Sequence, residues 1–169
     1  MNVPSNLFLI GPMGAGKSAV GRQLARMLHK SFVDSDDEIE SRTGVDIPFI
    51  FEKEGEAGFR SREAKVIDDL SQRQGLVLAT GGGAVIDSKT RSVLGARGYV
   101  VYLQTSVDQQ LERTRRGRER PLLVNDDPRT TLENLMAERD PLYREIADLV
   151  INTDGRRVNA VAKQIFEAL

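Results

Sequence analysis

The sequence predicts a three-layer α/β/α fold, in which a five-stranded parallel sheet lies between two layers of helices. Five short runs, mostly apolar on both faces, alternate along the chain with amphipathic stretches of helical period. Strands of this kind are typical of a parallel sheet that is covered by helices on each side. Residues 11–18 add a second observation, because they read Gly-Pro-Met-Gly-Ala-Gly-Lys-Ser. They match the phosphate-binding loop G-x-x-x-x-G-K-S/T, which joins a strand to a helix.

The first strand and the first helix flank this loop. The apolar run Leu7–Ile10 predicts a buried strand, and residues 19–28 carry apolar side chains at the spacing of a helix. The glycines let the backbone turn several N–H groups toward phosphate oxygens, Lys17 adds a positive charge, and Ser18 offers a hydroxyl to Mg²⁺. The loop therefore predicts a bound nucleoside triphosphate.

Two other interpretations of the loop compete with this one. Residues 14–19 also satisfy the dinucleotide pattern G-x-G-x-x-G/A, with Asp34 or Asp36 about twenty residues further on. Against it, Gly11 already occupies the position directly after the strand, and the dinucleotide loop gives no role to Lys17 and Ser18. A plain glycine-rich turn explains the glycines but leaves Lys17 at the helix start unexplained.

The second strand, at Ser31–Asp34, ends on a carboxylate. Asp34 is therefore the candidate for holding the water shell of Mg²⁺, and Asp36 is placed to reach the same pocket. A capping box from Ser35 to Glu38 is an alternative that explains the local polarity without a ligand. The neighbouring acids are expected to lie on solvated helix surface: Asp37, Glu38 and Glu40.

The third strand, at residues 76–80, is followed by Gly81-Gly82-Gly83. The fourth and fifth strands are predicted at 99–103 and 148–152. Because ligands of parallel sheets bind at the carboxyl ends of the strands, the triple glycine lies where a small ligand can touch backbone directly. The alternative is a flexible turn.

An arginine-rich stretch follows the fourth strand. Residues 112–120 hold five arginines in nine positions, and residues 115–128 have the polar composition of a mobile insertion. A solvated face, an anion-binding lid and a basic nucleic-acid patch are all compatible with this composition. In a protein that holds a triphosphate, such a loop can close over the nucleotide and neutralise charge on the transferring phosphoryl group.

The amino-acid composition excludes several classes of function. A chain of 169 residues fits one domain over 1–169, and a net charge of −1 argues against a nucleic-acid surface spread over that domain. With no cysteine and one histidine, disulfides, thiolate catalysis and histidine-rich metal sites are excluded. Neither a long apolar span nor a signal-peptide pattern is visible, so we expect a soluble cytoplasmic protein without a membrane partner.

The phosphate loop by itself does not separate kinases from nucleotide switches. The sequence holds no D-x-x-G and no N-K-x-D, the usual elements of guanine-nucleotide switches. A small, lidded phosphotransferase is the interpretation that remains. Asp36, Arg60 and the triple glycine offer a carboxylate for hydroxyls and a guanidinium for an anionic group, which suggests a small hydroxylated acid as the acceptor.

The chain resembles the shikimate kinase family over almost its whole length. The resemblance is carried by the phosphate loop, by Asp34-Ser35-Asp36, by Gly58-Phe59-Arg60 before Glu63 and by Thr80-Gly81-Gly82-Gly83, and it continues in Arg120-Pro121-Leu122-Leu123 and Arg139-Asp140-Pro141-Leu142-Tyr143. It implies a P-loop kinase fold with a mobile lid at about 112–127 and a substrate-binding helical segment at about 34–62. It also implies transfer of the ATP γ-phosphoryl group to the 3-hydroxyl of shikimate, in aromatic amino-acid biosynthesis, by a monomer. A related gluconate-type kinase and a catalytically idle nucleotide-binding module are the alternatives.

The resemblance also implies roles for individual residues. Lys17, Asp36 and Arg120 are the expected catalytic residues, with Arg120 entering from the lid. Ser18 is expected to bind Mg²⁺ directly and Asp34 through water. The acceptor site is expected to comprise Asp36, Arg60, Gly82 and Arg139, and the ATP site Gly14, Ala15, Gly16, Lys17, Ser18, Ala19, Arg113, Arg120 and Arg156.

One position departs from the family pattern. The family usually has a second hydroxyl residue after Ser18, where this chain has Ala19. A side-chain contact to the α-phosphate is therefore absent, and we predict weaker nucleotide binding than a threonine there would give.

Overall fold

The computed structural model describes residues 3–114 and 127–169. Its elements follow one another in the order β1 (Leu7–Ile10), α1 (Lys17–Leu28), β2 (Ser31–Asp34), α2 (Ser35–Thr43), α3 (Ile47–Leu70), β3 (Leu76–Ala79), a 3₁₀ turn (Ala84–Ile86), α4 (Ser88–Arg97), β4 (Tyr99–Gln104), α5 (Val107–Thr114), α6 (Pro128–Ile146), β5 (Leu149–Asn152) and α7 (Val158–Ala168). All five predicted strands are present, with bounds that differ from the predicted ones by at most one residue.

The five strands form one parallel sheet in the order β2-β3-β1-β4-β5. β1 lies at its centre and pairs with β3 through Phe8 and Leu78 and with β4 through Phe8 and Val100. The order places the carboxyl ends of β1, β2 and β3 side by side, so the phosphate loop, the start of α2 and the triple glycine meet at one edge of the sheet.

Helices cover both faces of the sheet, as predicted. Side chains of β1 alternate between the two faces, and all four are fully buried. Leu7 and Leu9 pack in the core beneath α1 and α7, and Phe8 and Ile10 pack in the core beneath the helices on the opposite face. The central strand is therefore fixed from both sides, which gives the loop that follows it a rigid base.

The predicted capping box at Ser35 is wrong. Asp34 is the N-cap of α2, and its Oδ1 accepts hydrogen bonds from the backbone N–H groups of Asp36 (2.8 Å) and Asp37 (3.3 Å). Ser35 is the first residue of the helix, it is buried, and its hydroxyl oxygen accepts a bond from the Gly81 N–H (3.1 Å). Ser35 therefore lies one position further into the helix than a capping residue would, and its hydroxyl links α2 to the triple glycine.

No helix in the two described ranges combines the length and the apolar character that a membrane crossing requires.

Candidate active site

The phosphate loop is shaped by three glycines with positive φ. Gly11, Gly14 and Gly16 have φ values of 144°, 84° and 88°, a region that side chains disfavour. At Gly11 a Cβ atom would lie 2.4 Å from the Leu103 carbonyl oxygen, so only glycine fits where the loop leaves β1. The Lys17 Nζ donates to the carbonyl oxygens of Gly11 (2.7 Å) and Pro12 (2.9 Å), which holds the ammonium group across the loop.

Ser18 and Asp34 join the loop to the end of β2. The Ser18 hydroxyl donates to Oδ2 of Asp34, while the other carboxylate oxygen of Asp34 caps α2. A hydroxyl and a carboxylate are oxygen ligands that suit Mg²⁺, which usually takes only one or two protein ligands and completes its shell with water and substrate phosphates. No group of three or more metal-binding side chains occurs in the described parts of the chain, and this mode of binding does not require one.

Of the arginines expected in the ATP site, Arg113 and Arg156 are among the described residues. Arg113, near the end of α5, donates through Nη1 to the Gly14 carbonyl oxygen (2.7 Å). The Arg156 guanidinium instead contacts Gln164 and the carbonyl oxygens of Asn152 and Ala160, beside α7. Arg120 and the lid between 115 and 126 lie outside the described residues.

A cavity of about 270 Å³ joins the predicted donor half to Asp36 and Gly82 of the predicted acceptor half, whereas Arg60 and Arg139 are not among its lining residues. Its lining includes residues of the phosphate loop, of the start of α2 and of the triple glycine, namely Gly14, Gly16, Lys17, Ser18, Asp34, Asp36, Asp37, Gly81, Gly82 and Arg113. Asp37 was expected on solvated surface and instead belongs to this cavity, because the cap at Asp34 turns the first residues of α2 toward the loop.

The triple glycine makes room for three charged side chains. A Cβ at Gly81 would lie 2.7 Å from Oε2 of Glu63 and 2.8 Å from Oδ1 of Asp36, and one at Gly83 would lie 2.2 Å from Nη2 of Arg60. All three distances are below ordinary van der Waals contact. A side chain at Gly81 or Gly83 would therefore displace one of these charged groups, so this run packs closely against ordered side chains, which favours the ligand-contact interpretation over that of a flexible turn.

Two arginines and a glutamate form a buried cluster beside these glycines. Arg60 and Glu63 lie one turn apart on α3, and Nη1 of Arg60 donates to Oε1 of Glu63 (2.9 Å). Arg139 of α6 is 3% exposed, and its Nη1 lies within 3.5 Å of the Cβ position at Gly82. Burial raises the pKa of the Glu63 carboxyl above its ordinary value of 4.5, and the guanidinium of Arg60 only partly opposes that rise.

Several polar atoms of this cluster are buried without a hydrogen-bond partner among the described residues: Nε of Arg60, Oε2 of Glu63 and Nε of Arg139. Native proteins rarely leave buried polar groups unpaired, because each costs about 1 to 3 kcal/mol. Two guanidinium groups with unused donors are suited to bind an anion such as a carboxylate. The cluster therefore has the chemistry of an acceptor site for a small acid.

Tyr143 fixes the triple glycine from the side of α6. Its hydroxyl donates to the Gly82 carbonyl oxygen. Burial raises the pKa of this hydroxyl, and the Arg139 guanidinium beside it opposes the rise only in part, so the phenol remains a donor. Glu63 and Tyr143 belong to motifs that carry the family resemblance, but no role was predicted for either. Their spacing is a further signal, since Tyr143 lies four residues after Arg139 and Glu63 three after Arg60, on the same helix faces.

A second tyrosine positions the helix that carries Arg139. The hydroxyl of Tyr102, a fully buried residue of β4, donates to Oδ1 of Asp140 (2.7 Å). Burial and then this carboxylate raise the pKa of Tyr102, so the hydroxyl stays protonated. The bond anchors α6 at Asp140, the residue that follows Arg139. The next residue, Pro141, interrupts the backbone hydrogen bonds of the helix.

Comparisons with known proteins agree with this geometry. The sequence profile described as shikimate kinase matches residues 13–169. A shikimate kinase of Halorhodospira halophila is 62% identical over 166 residues, which cover 98% of this chain and 94% of that protein. A solved shikimate kinase of Acinetobacter baumannii in complex with shikimate is 51% identical, with a TM-score of 0.95 over 97% of this chain and 92% of that one. A gluconokinase of Sinorhizobium meliloti aligns with a TM-score of 0.62 over 97% of this chain and 90% of that one at 16% identity, which shows a shared fold alone.

Proposed function

The chain belongs to the shikimate kinase family, and we propose that the cavity between the phosphate loop and the triple glycine is where it performs that family's reaction. It is an ATP-dependent kinase with the P-loop kinase fold, and it transfers the γ-phosphoryl group of ATP to the 3-hydroxyl of shikimate, a step in aromatic amino-acid biosynthesis. The observation that supports the proposed site best is that Asp36, Arg139 and Arg60 lie beside Gly81, Gly82 and Gly83 in turn, and that the first two of these glycines share a cavity with Lys17.

We assign the donor half of the reaction to the phosphate loop. Its backbone N–H groups and the N-terminus of α1 bind the phosphates of ATP along residues 14–19, and Lys17 carries the positive charge that neutralises the transferring group. Arg113 lies against Gly14, where it supports the loop at the nucleotide. Arg120 and Arg156 remain predicted nucleotide contacts, the first from the lid.

Ser18 and Asp34 are the residues that would hold Mg²⁺, the hydroxyl directly and the carboxylate through water. Bound there with ATP, the ion supplies charge neutralisation at the phosphates. The link between Ser18 and Asp34 keeps the two oxygen ligands together at the base of the cavity.

We assign the acceptor half to the buried cluster. The guanidinium groups of Arg60 and Arg139 pair with the carboxylate of shikimate, and the Gly82 backbone lies against the ring. Asp36 accepts a hydrogen bond from the reacting hydroxyl. Because phosphoryl transfer passes through a loose transition state, in-line positioning contributes more than proton removal, so Asp36 orients the hydroxyl more than it deprotonates it.

An acceptor panel tests this function. ADP release is measured with ATP and Mg²⁺ and with shikimate, gluconate or a nucleoside monophosphate as acceptor. We expect turnover on shikimate alone. Turnover on gluconate alone would move the chain to the gluconate-type kinases, and ATP binding without turnover on any acceptor would indicate an idle nucleotide-binding module.

We further propose that the kinase works as a monomer in the cytoplasm. Light scattering coupled to size-exclusion chromatography tests the first statement, with one mass near 18.7 kDa expected. A mass twice as large would overturn it.

A further inference from the structure

A second cavity, of about 410 Å³, shares no lining residue with the acceptor cluster. Three helical segments form its walls: α2, the first part of α3, and the second part of α3. Apolar side chains form its interior: Ile39, Val45, Phe49, Ile50 and Val66. No residue of the phosphate loop or of the triple glycine lines this cavity. Its volume suits a molecule of one or two rings.

Cations dominate the rim of this cavity. Arg42, Lys53, Arg62 and Lys65 line it together with a single acid, Glu54. The two arginines are neutralised, Arg42 by Asp69 (2.6 Å) and Arg62 by Glu54 (2.7 Å). Neither lysine forms an ion pair with any residue in the described ranges, and the Lys53 ammonium lies 5.7 Å from the Phe49 ring. An apolar interior with two available positive charges is complementary to an apolar anion.

The cavity lies inside a bend of α3. Gly55 interrupts the helix with φ 73° and ψ −178°, so the helix changes direction there. At the rim of the cavity, the Glu54 carboxylate accepts two bonds from the Arg62 guanidinium (2.7 and 2.8 Å). On the core side, the rings of Phe51 and Phe59 pack 4.9 Å apart. These two contacts link the two parts of α3 across the bend.

The bend connects the cavity to the acceptor cluster. Arg60 lies between Phe59 and Arg62 on the second part of the helix, and its guanidinium stacks over the Phe59 ring at 5.2 Å. A carboxylate in the cavity would compete with Glu54 for the Arg62 guanidinium, which lies at the same rim. Loss of that contact would remove one of the two links across Gly55, on the part of α3 that carries Arg60.

We propose that this cavity is a second small-molecule site, which takes an apolar molecule with one carboxylate and whose occupation changes the affinity of the acceptor site through the bend at Gly55. The coupling rests on the proposed function, whereas binding itself does not. Because coupling between two binding sites is reciprocal, the acceptor must change the affinity of the cavity for its ligand by the same factor.

Naphthalene-2-carboxylate is a suitable probe, with naphthalene-2-methanol as its uncharged counterpart. The chain has no tryptophan, so the fluorescence anisotropy of the naphthalene can be followed without that background. Titrations use the full chain without nucleotide, with and without saturating shikimate. The double variant Lys53→Gln/Lys65→Gln is compared with Lys163→Gln, which removes an exposed lysine of α7.

We expect the carboxylate probe to bind the wild type and the α7 variant equally, and the double variant about fivefold or more weakly, as for the loss of two exposed ion pairs. The uncharged probe should bind weakly to all three. Saturating shikimate should change the Kd of the carboxylate probe about threefold or more, and the probe should change the Kd of shikimate by the same factor.

Two results would overturn the proposal. Probe binding that is insensitive to both lysines but is abolished by shikimate would place the probe in the acceptor cluster. Lysine-dependent binding that leaves shikimate affinity unchanged would overturn the coupling through Gly55. Failure of the proposed function can be told apart from failure of the second site, because a chain that does not bind shikimate still shows whether probe binding depends on the two lysines. Thermal unfolding of the lysine variants checks that they remain folded.

Discussion

Substitution of Gly83 by alanine should damage acceptor binding while leaving nucleotide binding intact. The added Cβ would lie 2.2 Å from Nη2 of Arg60, 2.5 Å from its Cζ and 2.8 Å from its Nη1, whereas ordinary contact begins at 3.4 Å. The guanidinium must therefore retreat by about 1.2 Å, the difference between 3.4 and 2.2 Å. Because Gly83 has φ −98°, alanine causes no backbone strain there.

The size of the effect follows from the contacts that Arg60 makes. A charge-assisted hydrogen bond contributes about 1.5 to 3 kcal/mol, so loss of the guanidinium from the acceptor carboxylate should raise the KM for shikimate about 10- to 150-fold. The displaced guanidinium also leaves the buried Glu63 without its partner at 2.9 Å. We therefore expect a fall in Tm as well, in line with a cost of about 1 to 3 kcal/mol for a buried polar group that loses its bond.

Steady-state kinetics with shikimate and ATP varied separately measure the effect. Gly95→Ala is the matched control, since Gly95 is an exposed residue of α4 with nothing within 4 Å of its Cβ position. That variant should keep both KM values and gain about 0.5 to 1 kcal/mol in the free energy of unfolding. A Gly83→Ala enzyme with wild-type KM for shikimate would refute the assignment of Arg60 to the acceptor site.

Four further predictions concern individual residues. Lys17→Met should abolish turnover while preserving the cooperative unfolding transition; an active variant would contradict the phosphate-loop assignment. Arg139→Ala should raise the KM for shikimate at least tenfold more than the KM for ATP, by loss of one charge-assisted contact of about 1.5 kcal/mol or more, and equal changes in both would speak against its role. Ala19→Thr should bind ATP more tightly, by about 0.5 to 1.5 kcal/mol for one added hydrogen bond, and calorimetry showing equal affinity would reject that idea. Burial raises the pKa of Glu63, so the native protein binds this proton more tightly than the unfolded chain, and ionisation of the carboxyl removes stability as pH rises above 4.5. The Tm of Glu63→Gln relative to wild type should therefore increase as pH rises above 4.5. A Tm difference that does not depend on pH would count against a buried carboxyl with a raised pKa.

Most of the fold could be predicted because its signals are local. The strand bounds follow from apolar runs, and the phosphate loop fixes which strand lies beneath the triphosphate. The family resemblance supplied the rest of the expected acceptor site, and three of its charged residues do meet there: Asp36, Arg60 and Arg139. The ATP-site role of Arg156 stays a prediction, since its guanidinium contacts Gln164 and Ala160 of α7.

One departure from prediction involves a contact between segments that are distant in the chain. Ser35 satisfies the capping pattern but bonds to Gly81, 46 residues away, which leaves Asp34 as the cap. Asp37 has the composition of surface but lines the cavity, and its backbone N–H bonds to the Asp34 carboxylate three residues earlier. The bond from Gly81 to Ser35 depends on where β3 ends relative to β2, which no local pattern specifies, whereas the cap at Asp34 is a local contact.

The sequence by itself determined that this chain holds a triphosphate on a strand-loop-helix unit, because an apolar run followed by three glycines, a lysine and a hydroxyl residue within eight positions suits little else. It also determined the parallel sheet, since hydrophobic period is a local property. Only the tertiary structure decided that Gly83 is required to accommodate Arg60, that Glu63 and Tyr143 belong to the acceptor cluster, and that α3 bends around a second cavity. The physical reason is that close packing and buried charge depend on distances between segments, which are set only when the sheet has assembled.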